Sequence, residues 1–210
     1  MNILINAGPT RENLDPVRFL TNRSTGKMGY AIAEAAVEAG HCVVLVSGPV
    51  NLLPPEGLAK LVNVESAAQM ADAMKLAMPD ADLIILCAAV ADYRPVQCSP
   101  SKIKKTEGNL FLELERTEDI ALSLGKIKRP DQILVGFAAE TDDLEANARK
   151  KMKAKNFDFI AANEVGKPGR GFASDQNAIT LYAADGRCIE LPLQSKKQLA
   201  VRLLSEVTAG

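Results

Sequence analysis

Three stretches of this sequence place charged and amide side chains beside residues small enough to let a ligand reach the backbone. In "DPVRFLTNRSTGKMG", residues 15–29, Arg18, Asn22, Arg23, Ser24 and Lys27 sit around what reads as a helix start. Ser24 or Thr25 is suited to cap that helix, its first amides would point outward, and Gly26 and Gly29 permit close approach. Arg18, Asn22 and Arg23 could then converge on a phosphate or carboxylate. A cap followed by packing glycines and solvated arginines explains the same letters about equally well. Neither familiar phosphate loop is present. A dinucleotide fingerprint needs a tight Gly-x-Gly turn, and a Walker loop needs Gly where Thr21 stands and Ser or Thr where Met28 stands.

The second stretch is "LCAAVADYRP", where an apolar run ends in Ala88 and Ala89 before Asp92, Tyr93 and Arg94. Small residues at a strand end let a ring or ribose approach, although core alanines followed by a turn-capping Asp92 read the same way. The third is "KIKK", in which Lys102, Lys104 and Lys105 are suited to surround a triphosphate and stabilise a departing pyrophosphate. Most such clusters are simply solvated. Further on, Lys151 and Lys155 share one helix face beside "LVGFAAET", whose Phe137 could pack against a base. A solvent-facing basic stripe is the ordinary alternative. The single histidine, His41, falls at a helix-to-strand junction away from these loops, which argues against a histidine triad or a multi-histidine metal site.

The elements that must hold these residues alternate. "NILINAG" and "HCVVLVSG" read as strands with the amphipathic helix "STGKMGYAIAEAAVEAG" between them, closed by Gly40. Further strands are expected at "LAKLVNVES", "ADLIILCAAVAD", "DQILVGFAAET" and "FDFIAANEV", with helices around 67–78, 118–125 and 144–155. Nearly continuous apolar runs imply strands covered on both faces. The fold class is therefore α/β, a doubly wound, mostly parallel Rossmann-like sheet whose ligands bind beyond the carboxyl ends of its strands. "NAITLYAADGRCIELPL" turns at Asp185-Gly186 as a C-terminal β-hairpin, and Ser195 caps a final helix to about Thr208. Between the first strand and helix lie roughly 17 residues, against the usual 2–6 of an α/β connection, and that length asks for a function. The stretch "YRPVQCSPSKIKKTEG", residues 93–108, interrupts both patterns and reads as a mobile flap or a partner arm.

Composition narrows the classes. With 25 Lys and Arg against 26 Asp and Glu there is no global field for nucleic acid or an anionic membrane, so an anion site must be local. No apolar run reaches membrane-spanning length, and Met1 leads into a strand rather than a signal peptide. The four cysteines form no CxxC pair, two of them lie in apolar strand-like runs suited to packing, and a reducing cytoplasm fits them best. No low-complexity linker divides the chain, so one domain over residues 1–210 is expected.

Taken together, "NAGPTRENLDPVRFLTNRSTGKMG", "LVSGPV", "AAVADYRP", "KIKK", "VGFAAET" and "ANEV" resemble the bacterial phosphopantothenate-cysteine ligases of coenzyme A biosynthesis over nearly the whole chain. The resemblance implies ligation of 4'-phosphopantothenate to L-cysteine through an acyl-cytidylate, with CTP consumed to CMP and pyrophosphate. It carries Asn22 over as the residue of acyl-cytidylate conversion, Arg18 as a positioning group for substrate or intermediate, and Lys102 as the lysine of a basic segment closing over the triphosphate. For CTP it carries over Leu86, Cys87, Ala88, Asp92, Lys102, the loop of Glu118, Asp119, Ile120 and Ala121, and Phe137, Lys151 and Lys155. It further implies Mg²⁺ held through phosphates without a dedicated cage, a homodimer with the lysine segment near the subunit boundary, and frequent fusion to a flavin-dependent decarboxylase. No FMN is expected in this domain, and neither nucleic acid nor a membrane is expected as partner. The competing readings are a nicotinamide-dependent Rossmann-type reductase and a noncatalytic nucleotide-binding dimer. None of Tyr30, Tyr93 or Tyr182 has the lysine four residues later that a short-chain dehydrogenase needs.

Overall fold

The computed structural model describes residues 1–105, 107–140, 143–164 and 174–209. In chain order its elements are β1 (Asn2–Ala7), β2 (Arg11–Asn13), β3 (Phe19–Thr21), α1 (Lys27–Glu38), β4 (Cys42–Ser47), β5 (Lys60–Asn63) and α2 (Ala67–Ala77). There follow β6 (Leu83–Leu86), β7 (Tyr93–Pro95), β8 (Leu114–Arg116), α3 (Ile120–Ile127), β9 (Ile133–Glu140) and α4 (Leu144–Ala154). The chain closes with β10 (Phe159–Glu164), β11 (Gln176–Ala183), β12 (Cys188–Ser195) and α5 (Lys196–Thr208).

Eight strands form one sheet in the order β12-β11-β10-β9-β6-β1-β4-β5. The six strands from β10 through β9, β6, β1 and β4 to β5 pair in parallel, whereas β11 and β12 add antiparallel rungs at one edge. From β1 the chain moves outward to β4 and β5, then returns to its other side at β6. The crevice between β1 and β6 is thus the point where strand order reverses, and the loops at the carboxyl ends of the strands splay apart there.

Each buried strand feeds two cores because its side chains alternate. Ile3 and Ile5 of β1 pack with Ile32 of α1 and Leu203 of α5, while Leu4 between them joins Met70 and Met74 of α2 and Leu124 of α3. All of these are at most 1% exposed, and each contributes roughly 1.5–3 kcal/mol of burial. The apolar runs carry no polar stripe because α1 and α5 cover one face and α2, α3 and α4 the other.

Several expectations need correction. Neither Ser24 nor Thr25 caps α1. The N-cap is Gly26 in the left-handed region at φ 77°, without a side-chain cap, and Ser24 Oγ instead accepts the Gly26 N–H at 3.3 Å. The run 81–92 is strand only over Leu83–Leu86, because Asn6 takes the next two N–H groups out of the ladder, as described below. The run 58–66 is strand only over Lys60–Asn63, and α3 starts at Ile120 rather than at Glu118 because Asp119 caps it. The long first loop contains the β2–β3 hairpin, and β7 pairs with β8, two three-residue ladders too short to show in an apolar pattern. Of the four free cysteines only Cys87 packs against the core, while Cys42, Cys98 and Cys188 are exposed. The C-terminal hairpin and the Ser195 cap stand as expected, the latter as a capping box with Gln198. Among the described residues no helix is long and apolar enough to cross a membrane.

Candidate active site

A cavity of about 400 Å³ opens at the carboxyl ends of the strands, at the β1/β6 crevice and along β9 and β10. Leu86, Cys87, Ala88, Asp92, Glu118, Asp119, Ile120, Ala121, Phe137, Lys151 and Lys155 all line it. Asn22, Arg18 and Lys102 do not.

The central wall is the loop after β6, and buried side chains hold its shape. Asn6, 2% exposed within β1, accepts the N–H groups of Cys87 and Ala88 at 2.8 and 2.9 Å. These are the donors that a longer β6 would have spent on its neighbours. Thr10 Oγ1 accepts the Ala91 N–H at 2.9 Å, and Ala89 N–H donates to the Gly8 carbonyl at 2.9 Å. At the lip, Asn22 Nδ2 donates to the carbonyls of Ala89 and Val90 at 3.1 and 3.0 Å, so Asn22 braces the wall from outside.

Two helix N-termini flank this loop. On one side α1 begins at Lys27, brought close because Gly29 lies against β1, where a Cβ would stand 2.5 Å from that of Ala7. Its amides open toward the cavity, an arrangement that favours anions. Lys27 pairs with Asp175 at 2.6 Å. On the other side Asp119 caps α3 by accepting the Leu122 N–H at 3.0 Å, and Lys155 pairs with the same carboxylate at 2.9 Å. Partial burial pushes the Asp119 pKa up, but the Leu122 amide and Lys155 outweigh it and leave the carboxyl below its ordinary value. Glu118 is likewise lowered, first by Lys75 at 2.7 Å and then by Ser123. Burial pushes the Cys87 thiol up to about 12, which makes it a neutral packing group and no nucleophile.

Arg18 is engaged elsewhere. Asp15, whose side chain is wholly inaccessible, accepts the N–H groups of Val17 and Arg18 at 2.8 Å each through Oδ1. Its Oδ2 accepts Arg18 Nε at 3.0 Å, Arg18 Nη2 at 2.6 Å and the Ile103 N–H at 3.1 Å, while Arg18 Nη2 also donates to the Ile103 carbonyl at 2.7 Å. Ser99 N–H donates to the Leu14 carbonyl at 2.9 Å. The segment expected to be a flap is therefore anchored to the β2–β3 loop at Ser99 and Ile103, between which Lys102 is exposed. Thr106 lies outside the described residues.

Sequence reasoning missed Asn6, Asn163, Asn177 and Lys196 among the cavity-lining residues, and read Lys27 only as part of the helix start. Asn6 had a signal, a single amide inside an apolar strand. Lys196 had none, because its burial depends on the pairing of β11 with β12.

Residues 1–209 match the family model described as DNA/pantothenate metabolism flavoprotein C-terminal domain. The coenzyme A biosynthesis bifunctional protein CoaBC of Bacillus subtilis (strain 168) is 51% identical over 208 residues, which is 99% of this chain and 51% of that protein. The chain thus spans about half the length of the curated relatives it matches. Two solved structures resemble it in fold and sequence. The crystal structure of the C-terminal domain of CoaBC gives a TM-score of 0.84 at 47% identity, covering 98% of this chain and 93% of that one. The DNA/pantothenate metabolism flavoprotein from Streptococcus pneumoniae gives 0.86 at 27% identity, covering 100% and 99%.

Proposed function

The chain belongs to the DNA/pantothenate metabolism flavoprotein C-terminal domain family, and on that footing we propose that residues 1–210 form one ligase domain that joins 4'-phosphopantothenate to L-cysteine at the expense of CTP. In this reading the substrate carboxylate attacks the α-phosphorus of CTP, pyrophosphate departs, and the amine of cysteine then attacks the acyl carbon and releases CMP. One observation carries it: all the residues expected to face the nucleotide, apart from Lys102, line a single cavity at the point where strand order reverses.

The chain's own groups suit both steps. The loop 86–88 gives a ligand access to backbone over small side chains, and the amides of α1 and α3 favour phosphate oxygens. Asn22 stands at the lip, bound to Ala89 and Val90, where an acyl group entering from outside would meet the nucleotide. Arg18 acts through the lysine segment, holding Ile103 so that Lys102 and Lys104 are presented on either side of it. Mg²⁺ fits the donor set, since Asp92 lines the cavity while Glu118 and Asp119 are spent on Lys75 and Lys155, and one carboxylate plus phosphates is a common way to hold this ion. When bound, the ion would neutralise phosphate charge. FMN has no step in this reaction.

A homodimer belongs to the same reading. Val17, Phe19, Leu110, Phe111 and Leu112 are 40–88% exposed around the β2–β3 hairpin and the segment before β8, an apolar surface suited to a second copy. Such pairing would bring the Lys102 segment of one protomer toward the cavity of its partner. The relatives' bifunctional names, and the half of their length that this chain does not span, support a natural fusion to a second domain, here read as the flavin-dependent decarboxylase; the cytoplasm is the expected place of reaction. The test is direct: purified protein with Mg²⁺, CTP and 4'-phosphopantothenate forms acyl-cytidylate by mass spectrometry, and added cysteine releases CMP. Asn22→Asp, which turns an amide donor into an anion, slows cysteine transfer more than activation. Absence of both products sinks the ligase reading.

A further inference from the structure

Of the carboxylates that line the cavity, Glu118 and Asp119 are paired with Lys75 and Lys155, whereas the exposed side chain of Asp92 has neither a hydrogen bond nor an ion pair among the described residues. With no partner to aim it, the direction of Asp92 is set by its backbone. Two dihedrals decide where a Cβ points, and both are fixed once the planar peptides before and after the residue are held.

Thr117 holds both peptides. Its Oγ1 donates to the Ala91 carbonyl, in the peptide before Asp92, and its N–H donates to the Asp92 carbonyl at 3.0 Å, in the peptide after it. The β7–β8 ladder runs from Pro95 opposite Leu114 to Tyr93 opposite Arg116, so the N–H bond merely continues it, whereas the hydroxyl bond depends on the side chain. The carbonyls of Ala89 and Val90 are taken by Asn22, and the Ala91 N–H by Thr10. From Ala89 to Asp92 every carbonyl therefore has a donor, and Thr117 supplies the last two. The position matters as well: Asp92 directly precedes β7 and Thr117 directly follows β8, so the two form the root of the lysine segment. A segment that opens and closes pulls on its root, and a group at the root keeps its aim only if the root is tied.

We propose that Thr117 is a positioning residue: by bridging the two ends of the lysine segment it fixes the peptides on both sides of Asp92 and keeps that carboxylate at the cavity while the segment moves. The inference rests on the ligase reading, in which Asp92 faces the nucleotide, and goes beyond it by naming a side chain that shapes the site through another residue. Thr117→Val keeps the branched shape and the N–H bond but removes the hydroxyl, and Thr117→Ser keeps both bonds.

CTP affinity by calorimetry and the single-turnover rate of acyl-cytidylate formation are measured with Mg²⁺ for the wild type, Thr117→Val, Thr117→Ser, Asp92→Asn and the double variant of Thr117→Val with Asp92→Asn, each first melted by circular dichroism. Thr117→Val should weaken CTP about fivefold and slow activation about tenfold or more, since a displaced group near reacting atoms costs more in rate than in binding. Thr117→Ser should stay within about twofold of the wild type in both, and adding Thr117→Val to Asp92→Asn should cost less than about twofold, because the hydroxyl acts through the carboxylate. A merely structural joint would cost the same factor with or without Asp92. The proposal is overturned if Thr117→Val binds and activates like the wild type, if Thr117→Ser falls as far as Thr117→Val, or if the cost of Thr117→Val is undiminished beside Asp92→Asn. Should Thr117→Val not fold, Thr117→Ala takes its place in the same cycle. The two readings fail separately: coupling of Thr117 to Asp92 in CTP affinity without any acyl-cytidylate sinks the ligase alone, and acyl-cytidylate formed equally fast by the wild type and Thr117→Val sinks the clamp alone.

Discussion

The cavity wall and the lysine segment are fixed by different kinds of bond. The wall continues a parallel ladder, and where the ladder stops at Leu86 buried side chains of Asn6 and Thr10 take over its N–H groups. The segment between β7 and β8 has only a three-residue ladder at its base and rests on the β2–β3 loop through Ser99 and Ile103. The first region is shaped before any ligand arrives. The second is docked by a few bonds at the surface and is the part able to open and close without disturbing the sheet. In the proposed reaction the wall would serve nucleotide binding, and the segment would serve the steps after it.

The largest effect should come from breaking the wall. Asn6→Ala removes the acceptor of two N–H groups and leaves both without a partner inside the protein. At about 1–3 kcal/mol for each unsatisfied buried group, a loss of about 2–6 kcal/mol is expected. Urea unfolding should show this as a lowered midpoint at unchanged slope, and CTP affinity should fall with it. A variant of unchanged stability would mean that β6 can extend to take up the freed donors, and that the wall is not preorganised by Asn6.

How far the sequence disclosed these regions follows from the same difference. Strands buried on both faces write themselves as apolar runs, so β1, β4, β6 and β9 and their parallel, doubly wound class were legible, and so were the Asp185-Gly186 turn and the Ser195 cap. Their ends were not, because Leu86 and Cys87 are equally apolar and only an amide eighty residues earlier separates strand from loop. The hairpin β2–β3 stayed hidden because three residues a side carry no period. Arg18 drew notice as an anion ligand, since a guanidinium fork suits a carboxylate; the carboxylate it meets is Asp15, three residues before it. Ala88, Asp92, Lys102, Phe137, Lys151 and Lys155 stood out by pattern, and the resemblance supplied the rest of the set expected to face the nucleotide. Lys196 escaped both, its burial being a product of the β11–β12 pairing.

The anchor of the segment offers the next test. Asp15→Asn keeps the shape of the side chain but loses the ionic partner of Arg18 and one route to the Ile103 N–H. Hydrogen bonds to a charged group are strong enough that local opening should rise by roughly ten- to a hundredfold, read as faster exchange of the Ile103 amide. CTP affinity should stay within about twofold if wall and segment are independent, while acyl-cytidylate formation slows. The Arg18 guanidinium, more than any other group, holds the Asp15 carboxyl well below the usual range. A lowered carboxylate stabilises above its unfolded pKa and loses that contribution only as pH falls through the folded one. Protection of the Ile103 amide in the wild type should therefore be flat between about pH 5 and 8, since the unfolded pKa is about 4. A loss of protection inside that window would mean that another group holds the segment.

The smallest effect belongs to a residue that lines the cavity without building its wall. Asp119 caps α3 and pairs with Lys155, but its side chain is 43% exposed, so the ion pair is screened and the cap is the larger part. Asp119→Ala should cost about 1 kcal/mol, the usual value of a lost N-cap. The sign with pH follows from its lowered folded pKa, which makes its contribution full above the unfolded value of about 4 and lost as pH falls through the folded one. Melting curves of wild type and variant should stay a constant distance apart from about pH 5 to 8 and converge in stronger acid. Added salt should close little of the gap at pH 7. A gap that salt does close would transfer the contribution from the Leu122 amide to Lys155, and would then make Lys155 a residue whose position at the cavity wall depends on Asp119.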